Sequence, residues 1–345
     1  MNNQPFFTIG IPVYNTGKWV GACIDSIYAQ KFDDFELICV DDGSHDNSLQ
    51  VLQQYEANDE RIKIISRDNG GPSTARNSII KAARGKYIYM IDSDDTMCEN
   101  VLWQAYNKIA EDDYPDILQL GLLKNHYSTI REWMPTAPFS PQEYGLRDDQ
   151  RDEFTLNLWL DNKIRAEASS KFIRSDFLTS SGIMYHSTYC QREDGDFAVR
   201  LTRKAKTISI LPIHSFTYYL PREGSLSTTF SYKSYKSVIS YYRDFFEELE
   251  FWDVSDDMRK RLDAEKARQF TEHRDYLLMI FDGSKSRAEI LAEAAMVERL
   301  AGDYIKSLPL PKGKNGIIFF ICRIIGIEKT MNLLYSFLKL KGIVK

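Results

Sequence analysis

Two acidic clusters in the first third of the chain could bind a cation or a charged ligand. Asp41-Asp42 follows the apolar run 35–40, and Asp92-Ser93-Asp94-Asp95 follows the apolar run 87–91. Ligands bind at the carboxyl ends of strands in an open parallel sheet, so we expect both clusters at one edge. Carboxylates crowded together repel unless a cation or donor groups lie between them. Hard oxygen ligands favour Mg²⁺ or Mn²⁺, so the sequence predicts a divalent metal here.

The elements that position these acids are predicted from hydrophobic periodicity. Strand and helix patterns alternate over the first ~110 residues, which is typical of a parallel sheet with crossover helices. Beyond residue 112 we expect a mixture of strands and a helix, and then a mostly helical segment. The predicted strands are 7–13, 35–40, 62–65, 87–91, 116–121, 127–133, 207–213 and 215–220; the predicted helices are 19–27, one from a cap at Asp46 or Asn47 to 55, 70–83, 151–162 and much of 231–306.

Composition excludes several classes of protein. Hydrophobic residues make up 43% of the chain and charged residues 27%, as in an ordinary globular protein. The net charge of −5 argues against a nucleic-acid binder. The five cysteines form no C-x-x-C pair, which favours buried thiols over a disulfide framework or a zinc site.

No targeting segment is predicted. The first seven residues lack the pattern of a signal peptide. The longest apolar stretch, 316–327, is interrupted by Arg323 and is shorter than the ~20 residues of a membrane-spanning helix. We therefore expect a cytoplasmic protein.

Five ordered motifs closely resemble the family-2 glycosyltransferases. The resemblance covers roughly residues 6–228 and implies an α/β protein with the GT-A (Rossmann-like) fold, a mixed sheet sandwiched by helices, followed by a C-terminal helical extension. It also implies a UDP-sugar donor, Mn²⁺ or Mg²⁺, and single displacement with inversion at the anomeric carbon. The motifs are Ile11-Pro12-Val13-Tyr14-Asn15, Val40-Asp41-Asp42-Gly43-Ser44, Asn69-Gly70-Gly71, Ala75-Arg76-Asn77 and Asp92-Ser93-Asp94-Asp95.

The resemblance assigns donor-side roles to some of these residues. It implies that Pro12 and Tyr14 flank the nucleoside, that Asp42 accepts from the uracil imide, and that Arg76 contacts the base or the diphosphate. Asp92, next to Ser93, resembles an acid of the ribose or the metal shell. For these residues the alternative is a solvated turn, a helix cap or an ordinary surface position.

Further roles concern the metal. Asp94 resembles the direct metal ligand, and His214 is a candidate third ligand or a structural histidine. Asp95 is expected to face the donor sugar or to cap a helix that begins near Met97.

An inverting transfer needs a base to take the proton of the acceptor hydroxyl. Gln191-Arg192-Glu193-Asp194 resembles the Glu-Asp motif that supplies this base in the family, so Asp194 is the candidate and Glu193 its neighbour. The alternatives are helix capping by Asp194 and a base role for Asp196.

A cation should neutralise the leaving diphosphate. The segment Arg222-Glu223-Gly224-Ser225-Leu226-Ser227 resembles the loop that covers it, which implies contacts from Arg222, Ser225 and Ser227. Many relatives have another arginine after a Tyr-Tyr pair, whereas Leu220 follows Tyr218-Tyr219 here. Lys171 begins a segment typical of the acceptor side, or only packs.

Together these patterns predict a glycosyltransferase that acts in the synthesis of surface polysaccharide. Its expected acceptor is a saccharide, and a lipid-linked saccharide is favoured. We expect four parts: 1–112 binds the nucleotide sugar, 113–228 binds the acceptor, 229–311 is a helical extension and 312–345 a basic amphipathic tail. The alternatives are an inactive scaffold of this fold and a nucleotide-sugar pyrophosphorylase. A pyrophosphorylase would need a Gly-rich loop after the first strand, and this chain has none there.

The tail carries seven basic residues and one acidic residue, a local charge of +6. Bulky apolar residues alternate with them, a pattern typical of a helix in a membrane interface. We therefore expect a peripheral position on the inner face of the cell membrane; packing on the protein or in a homodimer is the alternative.

Overall fold

The computed structural model describes residues 4–120, 124–125, 150–161, 164, 166–187, 192–218, 232–266, 286–307, 321 and 326–340. The chain divides into two compact units, Met1–Thr228 and Thr229–Lys345. Each unit is described separately below. The finer division into four parts stays a prediction.

The first half of the first unit alternates strands and helices, as the periodicity predicts. Its elements are β1 (Phe7–Val13), α1 (Val20–Tyr28), β2 (Phe35–Asp41), α2 (Ser48–Glu56), β3 (Ile62–Ser66), α3 (Pro72–Ala82) and β4 (Tyr87–Met90). The remaining elements are β5 (Thr96–Met97), α4 (Val101–Glu111), β6 (Ile117–Leu120), β7 (Lys124–Asn125), α5 (Arg151–Leu160), β8 (Lys171–Arg174), α6 (Ser175–Ser181), α7 (Glu193–Lys204), β9 (Ile208–Leu211) and β10 (Phe216–Tyr218).

A seven-stranded mixed sheet forms the centre of this unit, in the order β3-β2-β1-β4-β8-β6-β9. Neighbouring strands are parallel except β8, which runs antiparallel to both β4 and β6. A smaller sheet has the order β5-β10-β7. The sheet confirms the predicted α/β class.

Apolar residues on both faces of the sheet explain why its strands read as continuous hydrophobic runs. Every residue of β2 is buried. Helix α3 packs very closely on β1, because a Cβ atom added at Gly10 would lie 2.4 Å from Ile79 Cγ2. A side chain at Gly10 would push this helix away from the sheet.

The second unit is helical where it is described, as predicted. It contains α8 (Tyr232–Leu249), α9 (256–266), α10 (Arg287–Ser307) and α11 (Ile327–Leu340). Ile327 and Met331 of α11 are buried, and Arg287 of α10 donates to Asn332 Oδ1 at 2.6 Å. None of the described helices has the length and apolarity needed to cross a membrane.

One local prediction differs from the structure. No helix begins near Met97; Thr96–Met97 is the strand β5, paired with β10, and the helix α4 begins at Val101. Asp95 therefore does not cap a helix. The predicted strand 127–133 lies outside the described residues.

Candidate active site

The carboxyl ends of β1, β2 and β4 lie side by side, because β1 pairs with both other strands in parallel. Hydrogen bonds join the segments that follow these strands. Thr16 Oγ1 donates to Ser93 Oγ at 2.8 Å, and the backbone N–H of His45 donates to Asn15 Oδ1 at 2.8 Å. The two acidic clusters therefore lie at one edge of the sheet, as expected.

Asp42 is buried, and its carboxylate already has several donors. It accepts from the backbone N–H of Gly70 at 3.1 Å and of Gly71 at 2.7 Å, and Arg67 Nε lies 3.1 Å from it. Gly71 has a φ of 85°, which favours glycine at this position. Asp42 thus fixes the turn between β3 and α3, and its contact with a uracil stays a prediction.

The cluster after β4 is less enclosed. Asp92 has a side chain that is 41% exposed, Asp94 is half-buried, and Ser93 and Asp95 are buried. The N–H of Asp95 donates to the carbonyl of Asp92 at 3.0 Å, which folds the segment into a tight turn. Asp92 and Asp94 are thus the accessible acids of this cluster.

Arg76 of α3 is a buried cation that joins the acidic cluster after β4 to the acids at the start of α7. Its side chain is 5% exposed, and Nη2 donates to Asp92 Oδ1 at 3.0 Å. Nη1 donates to Glu193 Oε1 at 2.8 Å and forms an ion pair with Asp194 Oδ1 at 3.2 Å. The predicted contact of Arg76 with the donor is untested.

Glu193 and Asp194 begin α7, directly after Arg192, which has a φ of 68°. Asp194 therefore lies in the first turn, whereas the N-cap position is Arg192, so Asp194 is not the N-cap residue. Asp196 is buried and accepts from Arg200 Nε at 2.9 Å. This ion pair within α7 gives Asp196 a structural role.

The pKa of Asp194 is raised to about 7. Removal from water is the main cause, because it disfavours the charged carboxylate. The guanidinium of Arg76 lowers the pKa, while the carboxylates of Glu193 and Asp92 raise it. A carboxyl group with this pKa can accept a proton near neutral pH, as a general base must.

The other predicted donor contacts are partly accessible. Pro12 is half-buried in β1, and Tyr14 is 45% exposed, with its ring 6.5 Å from that of His45. His214 is exposed, in the segment between β9 and β10. The roles of these residues stay predictions.

The chemistry of the acids fits a metal ion that is held partly by the protein and partly by the phosphates of a bound substrate. Across the described ranges, no three His, Cys, Asp or Glu side chains are grouped to hold an ion by themselves. Mg²⁺ needs only one or two carboxylates when substrate phosphates supply further oxygens, and Asp92 and Asp94 can provide these. The repulsion argument for a metal fails at Asp42, whose charge is met by Arg67 and two N–H groups.

Arg222, Ser225 and Ser227 lie outside the described residues. Lys171 is buried, and its Nζ donates to the carbonyl of Glu167 at 2.7 Å and to Ser170 Oγ at 3.1 Å. Its charge lowers the pKa of Asp194, so Lys171 contributes to the electrostatics of the site as well as to packing.

Sequence reasoning missed two residues that organise the site. Arg67 pairs with Asp42, and Asn77 bonds both backbone groups of Tyr185, at 2.8 Å each. Asn77 stands in the motif Ala75-Arg76-Asn77, but nothing in the sequence points to a partner 108 residues away. Arg67 could have been suspected, because it directly follows a strand end on the acidic edge.

Residues 8–174 match glycosyl transferase family 2. The poly(ribitol-phosphate) beta-glucosyltransferase of Bacillus spizizenii is 32% identical over 227 residues, which are 63% of this chain and 32% of that protein. The uncharacterized glycosyltransferase EpsJ of Bacillus subtilis is 29% identical over 259 residues, 70% of this chain and 71% of EpsJ. The chain thus spans about a third of the first relative and most of the second.

The fold is similar to that of S. aureus TarS 1–349, solved in complex with UDP-GlcNAc. The TM-score is 0.67, with 20% sequence identity, 96% of this chain covered and 91% of that chain. This similarity confirms the GT-A fold and the helical C-terminal region.

Proposed function

Since residues 8–174 match glycosyl transferase family 2, we propose that the chain belongs to this family and transfers a sugar from a UDP-sugar to a saccharide acceptor during synthesis of a bacterial surface polysaccharide. The observation that carries the proposal is the junction at Arg76, where a donor-side acid and a candidate base meet one guanidinium. The relatives support the substrate class, because one is named a poly(ribitol-phosphate) beta-glucosyltransferase and TarS was solved with UDP-GlcNAc.

On the donor side, Pro12 and Tyr14 would flank the nucleoside, with Asp42 and the turn it fixes beneath the base. Asp92 and Ser93 would face the ribose and the diphosphate. Asp94, with Asp92 near it, would hold Mg²⁺ or Mn²⁺, which when bound neutralises negative charge on the leaving diphosphate. Arg222, Ser225 and Ser227 would cover that group, and His214 would be an additional ligand.

On the acceptor side, Asp194 would act as the general base of a single displacement. The acceptor oxygen bonds to the anomeric carbon as the bond to the UDP oxygen breaks, and the hydroxyl proton passes to Asp194. The configuration at the anomeric carbon is inverted. Glu193 would assist through Arg76, since its carboxylate is committed to that guanidinium at 2.8 Å.

The second unit would bring the enzyme to a membrane. Leu333 and Phe337 of α11 are 61% and 55% exposed, and Lys329 beside them is exposed. Met331, which belongs to the same apolar pattern, is buried against the protein, so only one face of the helix would meet lipid. A lipid-linked acceptor would then be presented at the surface where the enzyme lies.

A screen of UDP-glucose, UDP-galactose and their N-acetyl forms tests the proposal. We expect Mn²⁺- or Mg²⁺-dependent release of UDP, faster in the presence of a saccharide acceptor. The competing function is an inactive scaffold of the same fold. Binding of UDP without turnover of any of these donors, with or without acceptor, would favour the scaffold.

A further inference from the structure

The ion pairs of Arg76 assign it a role that differs from donor binding. Building on the proposed function, we propose that Arg76 is a positioning residue that holds Asp194 in place for the acceptor and ties it to the donor-side acids. Asn77, the next residue of α3, holds the backbone of the same acceptor-side segment. The role explains why one short motif contacts both halves of the site.

The ion pairs of Arg76 engage both of its Nη atoms. Both Nη atoms are taken by carboxylates, at 2.8 Å from Glu193, 3.0 Å from Asp92 and 3.2 Å from Asp194. Its Nε is buried. Because the side chain of Arg76 is only 5% exposed and pairs with three acids, a positioning role fits the geometry better than contact with a phosphate.

The segment before α7 is fixed from the same helix. The Asn77 side chain donates to the carbonyl of Tyr185 and accepts from its N–H, both at 2.8 Å. The Tyr185 ring stacks on Phe197 of α7 at 3.8 Å and lies 5.4 Å from the guanidinium of Arg76. Arg76 and Asn77 therefore hold α7 at its acidic first turn, where Asp194 lies.

One cation at this point faces three carboxylates. The guanidinium stays charged, because an arginine side chain does not lose its proton in proteins, and it pairs with all three acids. Besides Arg76, the described groups that act on Asp194 include Glu193 on its own helix, Asp92 after β4, Lys171 on β8 and Tyr185. Loss of the guanidinium would leave the acids with Lys171 as the remaining cation among these groups.

Substitution of Arg76 should therefore separate turnover from donor binding. For Arg76→Gln we expect kcat to fall by roughly ten- to a hundredfold, with the KM for the donor within about twofold of the original value. The acid limb of the kcat/KM profile should move to higher pH by about one unit, because the cation that lowers the pKa of Asp194 is gone. Arg76→Lys should restore part of both losses.

A second variant gives a shift of the opposite sign. Glu193→Gln removes a carboxylate that raises the pKa of Asp194, so its acid limb should move to lower pH. If Arg76→Gln does not fold, Arg76→Lys tests the proposal instead: a lower kcat with the donor KM within about twofold of the original value would support it, and a raised donor KM with normal kcat would overturn it. The matched control is Arg84→Gln, since Arg84 also pairs with a buried carboxylate, Glu36, at 2.8 Å, but just before β4, at the opposite edge of the sheet. It should leave the pH profile unchanged.

The outcomes also separate this inference from the proposed function. If the unmodified enzyme transfers no sugar from any UDP-sugar, the proposed function is wrong. If the enzyme is active and Arg76→Gln raises the donor KM without moving the pH profile, Arg76 binds the donor and the inference is overturned. An unmoved profile in both Arg76→Gln and Glu193→Gln would overturn it as well.

Discussion

Asp194 shows how its surroundings change the chemistry of an ordinary side chain. An aspartate in water is a weak base at neutral pH, because its pKa in model peptides is near 3.9, about three units below pH 7. Partial enclosure beside Glu193 and Asp92 raises the pKa, and Arg76 limits the rise. The residue can thus be ionised at pH 7 and still hold a proton once it has taken one.

Replacement of this carboxylate tests its role directly. Asp194→Asn should keep the affinity for UDP and lower turnover by roughly a hundredfold or more, because the amide is nearly isosteric but cannot take the proton. Calorimetry with UDP and steady-state kinetics measure the two effects. Near-normal turnover would move the base role to Glu193 or Asp196.

The pH dependence follows from the raised pKa of about 7. Below this value Asp194 is protonated and cannot act as a base, so kcat/KM should fall about tenfold per unit as the pH decreases. Above it the rate should level off. Measurement from pH 5 to 9 would show this limb in the original enzyme and its loss in Asp194→Asn. A flat profile down to pH 5 would contradict the assignment.

The metal assignment is tested at Asp94. Asp94→Ala should abolish the Mn²⁺-dependent part of UDP binding, because the ion loses its main carboxylate ligand and Asp92 alone would hold it weakly. Titration of UDP with and without Mn²⁺ measures the difference, and circular dichroism checks that the variant is folded. Unchanged metal-dependent affinity in a folded variant would show that Asp94 does not hold the ion.

At the level of elements, the close contact of α3 with β1 is what carries Arg76 and Asn77 to the site. Gly10→Ala should destabilise the protein by about 1–3 kcal/mol, because the added methyl group overlaps Ile79. Gly21→Ala is the matched control: its Cβ would make only ordinary contacts, the nearest at 3.4 Å, and alanine favours a helix.

Urea unfolding measures both variants. The double variant Gly10→Ala/Ile79→Ala should lose less stability than the two single changes together, since the first methyl group fills space that the second change empties. Additive losses, or equal effects of Gly10→Ala and Gly21→Ala, would show that this contact does not limit how α3 packs.

Sequence patterns predict the elements better than the partnerships between them. The continuous apolar runs of β1, β2 and β4 and the acids that follow them are legible, because burial on both faces of a sheet leaves a local signal. The position of β8 between β4 and β6 depends on segments far apart in the sequence, so hydrophobic periodicity does not predict it. The same holds for Arg76 and Glu193, which are 117 residues apart.

For the whole molecule, the exposed face of α11 should decide where the enzyme lies. Leu333→Ser/Phe337→Ser should reduce sedimentation with phosphatidylglycerol vesicles at low salt and keep UDP binding, because the apolar contact with lipid is lost. Phe251→Ser is the matched control, since Phe251 is 90% exposed on the segment after α8. Failure of the original protein to bind such vesicles would make the membrane proposal wrong.

The antiparallel strand β8 also has a consequence for synthesis on the ribosome. Strands β4 and β6 both pair with β8, so each keeps an unpaired edge until Arg174 has been made. From Leu120 to Arg174 the ribosome adds 54 residues, which takes roughly 3–10 s at common elongation rates. Until then the backbone N–H and C=O groups along one side of β4 lack the strand they pair with, and such an edge can pair with another chain. Sheet completion is thus a late event in the production of this enzyme.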